Sequence, residues 1–234
     1  MKVIIMAAGV GSRISADIEG LPKCILPIDK MPLIRRTVSE FLEYDFEVIV
    51  VVGYQKEKVI ESISDLPVKI IENPFYRITN SIASLWFAKD YLIEDTIIMN
   101  GDVFVTSKII KQIIHSDKSP LMLMDNTRIE NGDYYLGVEK NCITHYGKNL
   151  PLSQRSGEYV GLAKVKSKDI VDFRENLIKL IDKECFYYWW EDTLYDLADE
   201  QQEVYVEDVN NCYWSEIDFL TDYEKILTKF NEQF

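Results

Sequence analysis

Three features of this chain could handle a polyphosphate: glycines at a strand end, two cations close behind them, and isolated aspartates further on. Ala7-Ala8-Gly9-Val10-Gly11-Ser12-Arg13 follows directly on the apolar run Val3-Ile4-Ile5-Met6, and Lys23 stands ten residues after Arg13 in Leu21-Pro22-Lys23. Small residues and glycines bring backbone N–H groups close to a ligand, because no Cβ stands in the way. Arg13 and Lys23 add positive charge to the same mouth, as a nucleoside triphosphate requires. By charge, Arg13 suits the β- and γ-phosphates, and Lys23 the α-phosphate and an incoming phosphate. An acceptor phosphate is already an anionic nucleophile near neutral pH and needs no general base. That matches the two histidines, His115 and His145, which stand isolated and read as structural or surface residues.

Two familiar phosphate loops are excluded. A dinucleotide fingerprint needs a third glycine where Ile14 stands, and an acid at the end of the second strand, which reads Val51-Val52-Gly53-Tyr54-Gln55. A Walker A loop needs Gly-Lys-Ser/Thr, which is absent. The aspartates of interest are Asp102, in Met99-Asn100-Gly101-Asp102, and Asp218, in Glu216-Ile217-Asp218-Phe219. A plain turn would also explain Asp102, and a helix N-cap would also explain Asp218.

The elements that must position these groups follow from periodicity. Apolar, β-branched runs predict strands at 3–6, 46–52, 68–71 and 96–99, and helical spacing predicts helices at 33–42, 56–63 and 81–92. Alternation of this kind implies an α/β domain with a parallel sheet and helices on both faces. Ligands of such sheets bind beyond the carboxyl ends of the strands. The glycine loop, Gly53, Asn80 and Asp102 all fall at that edge. The second half predicts shorter strands at 121–124, 134–139, 143–146, 157–165 and 203–206, helices at 168–181 and 189–199, and a final amphipathic helix from Phe219 to Phe230. No linker interrupts the chain, so residues 1–234 read as one domain. Its nucleotide-binding half is 1–115 and its acceptor-binding half 116–234.

Composition narrows the class. With 39 acidic against 26 basic residues and a net charge of −13, the chain lacks the basic face that nucleic acid demands. No stretch approaches the roughly 18 apolar residues of a membrane span, and the apolar N-terminus reads as a buried strand, not a signal peptide. Cys24, Cys142, Cys185 and Cys212 lie far apart, which suggests reduced thiols in a cytoplasmic enzyme and no zinc site. A homodimer stays open.

The string A-A-G-x-G-S-R with Pro22-Lys23 and Lys30-Met31-Pro32-Leu33-Ile34 resembles the signature of nucleotidyltransferases that join a nucleoside triphosphate to a phosphorylated small molecule. Val51-Val52-Gly53-Tyr54, Asn80-Ser81 with Ser84-Leu85, Gly101-Asp102 and Glu216-Ile217-Asp218 extend the likeness over most of the chain. It is most similar to the CTP-using branch, the bacterial choline-phosphate cytidylyltransferases. That resemblance implies a Rossmann-like, mostly parallel mixed sheet, the nucleotide-diphospho-sugar transferase fold. It implies that Asp102 and Asp218 bind Mg2+, which takes a few carboxylate oxygens and leaves room for phosphates and water. It also implies that Ala7, Ala8, Gly9, Gly11, Ser12, Gly53, Asn80 and Ser81 contact CTP, with Asn80 offering both a donor and an acceptor to the base. Transfer at the α-phosphorus would release pyrophosphate.

The acceptor is written less clearly. In Phe186-Tyr187-Tyr188-Trp189-Trp190-Glu191-Asp192, a helix would put Trp190, Leu194 and Leu197 on a core stripe. Tyr188, Asp192, Tyr195 and Asp196 would then form a face of rings and carboxylates, with Trp189 beside it. Such a face suits a cationic head group, though an amphipathic helix with solvated acids reads equally well. Tyr213 and Trp214 could complete the pocket. Glu158 could face it, since the resemblance places a sugar-binding glutamate there. Phosphocholine is the first acceptor on this reading. Phosphoethanolamine and 2-aminoethylphosphonate would use the same carboxylates. Phosphoglutamine would also need a cation from Arg128, Lys140, Lys148 or Arg155. A UTP- or dTTP-dependent sugar 1-phosphate enzyme would keep the superfamily. A glycosyltransferase is disfavoured because Asn100 stands where its metal motif has the first acid. A non-catalytic nucleotide sensor is disfavoured by the four charged residues.

Overall fold

The computed structural model describes residues 1–11, 13, 14 and 16–233. In chain order the elements are β1 (Lys2–Ala7), β2 (Pro27–Ile28), β3 (Met31–Pro32), α1 (Leu33–Leu42), β4 (Glu47–Val52), α2 (Lys56–Ser62), β5 (Val68–Glu72), α3 (Ser81–Phe87), β6 (Thr96–Asn100), β7 (Val103–Val105) and α4 (Ser107–His115). They continue with β8 (Leu121–Asp125), β9 (Tyr135–Glu139), β10 (Cys142–Gly147), β11 (Gly157–Val165), α5 (Ile170–Asp182), α6 (Asp192–Asp199), β12 (Tyr205–Asp208), β13 (Trp214–Glu216) and α7 (Leu220–Gln233).

Nine strands form one sheet in the order β5-β4-β1-β6-β11-β8-β12-β10-β9. The β5, β4, β1 and β6 strands run parallel, while β11 enters antiparallel to both β6 and β8. The sheet is therefore mixed: its four-stranded parallel part belongs to the first half of the chain, and β12 pairs parallel with β8 in the second. Strands buried on both faces read as near-continuous apolar runs, as β1 and β4 do after their first residues, Lys2 and Glu47. Successive side chains divide between two cores. Ile4 and Met6 join the layer under α3, α5 and α6, while Val3, Ile5 and Ala7 join the layer under α1, α2 and α4. The α/β expectation holds, with helices on both faces.

A smaller element decides the site. The β13 and β7 strands form a separate antiparallel ribbon, pairing Glu216 with Val103. A third apolar cluster, with Ile14, Ile28, Phe104, Ile217 and Ile226, locks this ribbon and α7 against the segment after the glycine loop.

Some boundaries differ from expectation. The α3 helix stops at Phe87, followed by one 3-10 turn at Lys89–Tyr91. The α6 helix begins at Asp192, three residues later than predicted, and β12 begins at Tyr205. Phe219 and Leu220 lie exposed, so the buried stripe of α7 starts further on. The α4 helix and the short β7 strand have no counterpart in the sequence reading, while β13 is the strand-like segment expected before Asp218. Among the described residues no helix is long and apolar enough to cross a membrane, and all four cysteines are unpaired.

Candidate active site

At the end of β1 the chain turns through residues 8–11, with Gly11 at φ +64°. A Cβ there would lie 2.9 Å from Cγ of Lys23, so glycine both permits the turn and lets it close over the lysine stem. Lys23 opens a 3-10 turn directly after Pro22. Its ammonium reaches Asp102 Oδ2 at 3.1 Å and Asp218 Oδ1 at 2.6 Å. Arg13 donates to the other oxygen of Asp218.

Sheet topology explains the convergence. Asp102 lies in the turn between β6 and β7, and Asp218 follows β13, so the ribbon carries a residue 195 positions from Lys23 back to it. Ile217 N–H donates to Asp102 carbonyl oxygen at 3.0 Å, which fixes the two turns together. Burial alone would lower the Lys23 ammonium, but Asp102 and Asp218 beside it raise it well above the ordinary lysine value. Lys23 is therefore a permanent cation. Asp218 is occupied by these cations, and Phe219 N–H is instead capped by Asp222. Two clefts meet at this cluster.

The first cleft, about 280 Å³ and the nucleotide side on the sequence expectation, is lined by Ala8, Gly9, Asn80, Ser81 and Asp102 together with Asn73, Thr79 and Ser84. The amide of Asn80 is engaged at both ends, accepting from Ser81 N–H at 2.8 Å and donating to Tyr187 carbonyl oxygen at 3.3 Å. It ties the start of α3 to the aromatic segment before α6. Ser84 Oγ accepts from the buried Asn73 amide at 2.9 Å, which leaves its hydroxyl proton able to point elsewhere. Ala7 lies under the loop, beside Lys23 and Asp102. Gly53 lines neither cleft. A Cβ on it would strike Ala8 carbonyl oxygen and Tyr76, and Tyr54 N–H donates to that same oxygen, so this glycine supports the loop from behind. Ser12 lies outside the described residues.

The second cleft, about 350 Å³ and the acceptor side on the sequence expectation, is lined by Gly11, Arg13, Lys23, Glu158, Trp189, Tyr195 and Asp218, joined by Asp133, Tyr134 and Lys148. Tyr134 meets Trp189 edge to face with centroids 5.8 Å apart and stacks on Tyr195 at 5.4 Å. Lys148 Nζ stands 5.0 Å from the Trp189 ring centroid and pairs with Asp133 at 2.8 Å. Of the four cations named as candidates, it is the one on this cleft. Arg128 stacks on Trp214 and Arg155 on Tyr135.

Four expected acceptor residues have other surroundings. Asp196 pairs with Lys179 at 2.8 Å, and Tyr188 is largely exposed, away from the cleft. Asp192 accepts from Trp189 N–H at 2.7 Å and shapes the turn into α6; burial pushes its carboxyl up to about 6. Asp192 and Asp196 are drawn into local partners instead, and Tyr188 precedes α6 altogether. Trp214 is buried, donates to Asp125 Oδ2 at 2.8 Å, and lines a neighbouring 610 Å³ cavity instead. Glu158 is on the cleft, but it already accepts from Asp133 N–H at 2.7 Å and from Arg128 at 3.3 Å.

Three groups at the junction escaped the sequence reading as site residues. Asn100 Nδ2 donates to Glu191 Oε1 at 3.0 Å, and Trp190 Nε1 donates to Asn100 Oδ1 at 2.7 Å, so Asn100 is held from both sides. Burial pushes the Glu191 carboxyl up to about 8, against the opposing Asn100 hydrogen bond. Glu216 is raised well above the usual range by burial, then by the charges of Asp102 and Asp218. Its signal was the two-residue spacing from Asp218, which needed a strand at 214–216 to be legible. Among the described residues no group of three or more His, Cys, Asp and Glu stands arranged for a metal ion. The Asp102–Asp218 pair is held by the Lys23 ammonium.

This arrangement agrees with three comparisons. The MobA-like NTP transferase domain matches residues 3–131. The choline-phosphate cytidylyltransferase of Streptococcus pneumoniae is 25% identical over 241 residues, covering 97% of this chain and 96% of that protein. The enzyme of that name from Haemophilus influenzae is 26% identical over 98% of this chain and 97% of its own length. The bifunctional protein GlmU of Methanococcus maripaludis is 30% identical over 144 residues, and the chain spans only 34% of its length. Among solved structures, CTP:phosphocholine cytidylyltransferase from Streptococcus pneumoniae superposes with a TM-score of 0.81 at 22% identity, covering 97% of this chain and 98% of that one. The inositol-1-phosphate CTP transferase from T. maritima gives 0.76 at 22% identity, covering 99% and 96%. At such identities these two establish a shared fold. The domain match covers more than half of the sequence, and this chain belongs to the MobA-like NTP transferase family.

Proposed function

We propose that this protein is a cytidylyltransferase that joins CTP to a small phosphorylated acceptor with a cationic head group, phosphocholine first, and releases pyrophosphate. One observation carries the reading. Lys23 sits between Asp102 and Asp218 where two clefts meet, and the acceptor-side cleft is walled by Tyr134, Trp189 and Tyr195 among carboxylates. Nearly full-length likeness to two choline-phosphate cytidylyltransferases supports the choice of nucleotide and acceptor.

The chemistry follows from charge. An acceptor phosphate oxygen forms a bond to the α-phosphorus, and the bond to the bridging α–β oxygen breaks with its electron pair leaving on pyrophosphate. Lys23 would neutralise the crowded α-phosphate, and Arg13 the departing end. The loop amides from Ala8 to Gly11 would hold phosphate oxygens, and the aromatic wall the ammonium head. Asp102 and Asp218 fit magnesium, which takes one or two protein carboxylates and completes its shell with phosphate and water. When bound it would offset charge on both nucleophile and leaving group. A cytoplasmic location suits the four free thiols.

Pyrophosphate release tests this directly. Each nucleoside triphosphate is offered with phosphocholine, phosphoglutamine and a sugar 1-phosphate. The reading expects release with CTP and phosphocholine. Preference for UTP or dTTP with the sugar phosphate would overturn it.

A further inference from the structure

The turn after β4 grips the glycine loop at both ends. Tyr54 N–H donates to Ala8 carbonyl oxygen at 3.1 Å, where the loop begins. The Tyr54 hydroxyl donates to Gly20 carbonyl oxygen at 2.8 Å, where the chain returns towards Lys23. Gln55 Nε2 donates to that same oxygen at 2.6 Å and to the Tyr54 hydroxyl at 3.0 Å. One residue therefore bridges both ends of the segment that carries Gly9, Gly11 and Arg13, and its neighbour doubles the bond at the far end. Neither residue lines either cleft.

Gln55 makes these bonds against two local penalties. Its φ of +44° lies in the left-handed region that glycine favours, and its side chain gives no cap bond to α2, whose first turn it precedes. Its Oε1 is buried and has no partner among the described residues. Turning the amide over would set that oxygen against Gly20 carbonyl oxygen, two acceptors face to face. A strained backbone and an orphaned carbonyl, kept together, mark a position constrained by something other than its own stability. The other side of the returning segment is already fixed, because Ile14 and Ile18 are buried in the cluster that locks α7 and the β7–β13 ribbon. Lys23 follows three residues after Gly20 and opens its 3-10 turn. The clamp thus sets the span from Ala8 to Gly20, and with it the width of the loop.

We propose that Tyr54 and Gln55 are positioning residues for the triphosphate, holding the glycine loop at the width that phosphate oxygens need. This rests on the nucleotide half of the proposed function and is indifferent to base and acceptor. A loop already at its bound width loses less freedom when the ligand arrives, so the clamp is expressed as affinity. Neither side chain touches the reacting atoms.

Calorimetric titration with CTP, UTP and CMP, magnesium present, compares the wild type with Tyr54→Phe, Gln55→Gly and the double variant. Each single substitution is expected to weaken CTP about fivefold, the scale of one hydrogen bond between neutral groups. Any binding of UTP is expected to weaken by the same factor, and CMP by less, since it lacks the outer phosphates. The double variant is expected to lose less than the product of the two, because the pair shares the Gly20 oxygen. Gln55→Gly also relieves the left-handed backbone, so its thermal unfolding without ligand is expected to stay within a few degrees of the wild type. Equal weakening of CTP and CMP, or no weakening of CTP in either single variant, overturns the inference. Binding of UTP that depends on the clamp, with none of CTP, overturns the cytidylyl reading and supports the inference. Failure to bind any nucleoside triphosphate overturns both.

Discussion

At the scale of single residues, the account turns on where charge is buried. Lys23 is one-tenth exposed and shared by two aspartates, so its cation is preorganised and needs no rearrangement to meet a phosphate. Replacing it with methionine, which keeps the stem, is expected to lower kcat at least about 100-fold in a pyrophosphate-release assay. Glu191 gives a different prediction. Its carboxyl stands near 8 in the folded chain against an ordinary 4.5. Between those values the folded state holds a proton that the unfolded state has released. Stability must therefore fall as pH rises through that window, with the full loss reached above about 8. Glu191→Gln should match the wild type near pH 4.5 and exceed it at pH 9, by an amount on the order of a few kcal/mol. Urea unfolding at both pH values reads the difference, and a constant gap would contradict the burial argument.

At the scale of elements, β11 is the strand that joins the two halves of the sheet, and it is irregular at the site. Its pairing with β8 shifts between Tyr159 and Ala163, and Gly161 within the shift has φ +89°. A Cβ there would lie 2.8 Å from Val103 Cγ2, on the ribbon that carries Asp218. Gly161→Ala is expected to cost about 1–3 kcal/mol in denaturant unfolding, through backbone strain and displacement of β7. Cleft geometry also explains what the sequence could reveal. Long apolar runs such as those of β1 and β4 declared themselves, because burial on both faces leaves no polar position after Lys2 and Glu47 at their starts. The pairing of the three-residue β7 and β13 strands did not, since so short a segment has no readable period. Glu216 was consequently invisible as a site residue, although its neighbour Asp218 was not. The face of α6 was misjudged for a related reason. A run of aromatic residues marks no helix start, and the residues before Asp192 that lie outside α6 do not follow its 100° spacing. Tyr134 gave no signal at all, because its place in the ring wall depends on the register of β9 against β11.

At the scale of the molecule, the fold brings together groups that local sequence keeps apart. The glycine loop and Lys23 lie at the start of the chain, Asp102 near its middle, and Asp218 close to its end. A mixed sheet with a small accessory ribbon is what closes that distance. On the proposed function the same architecture would separate the two substrates, the nucleotide beside the parallel strands and the acceptor beside the ring wall of the segments that follow them. The central claim is that this junction transfers the α-phosphoryl group of CTP. It is tested most directly by following CTP labelled at the α-phosphorus and, separately, at the γ-phosphorus, in the presence of phosphocholine. The account predicts α label in a CDP-linked product and γ label in pyrophosphate. Label from the γ-phosphorus on the acceptor, or α label recovered only as free CMP, would contradict it.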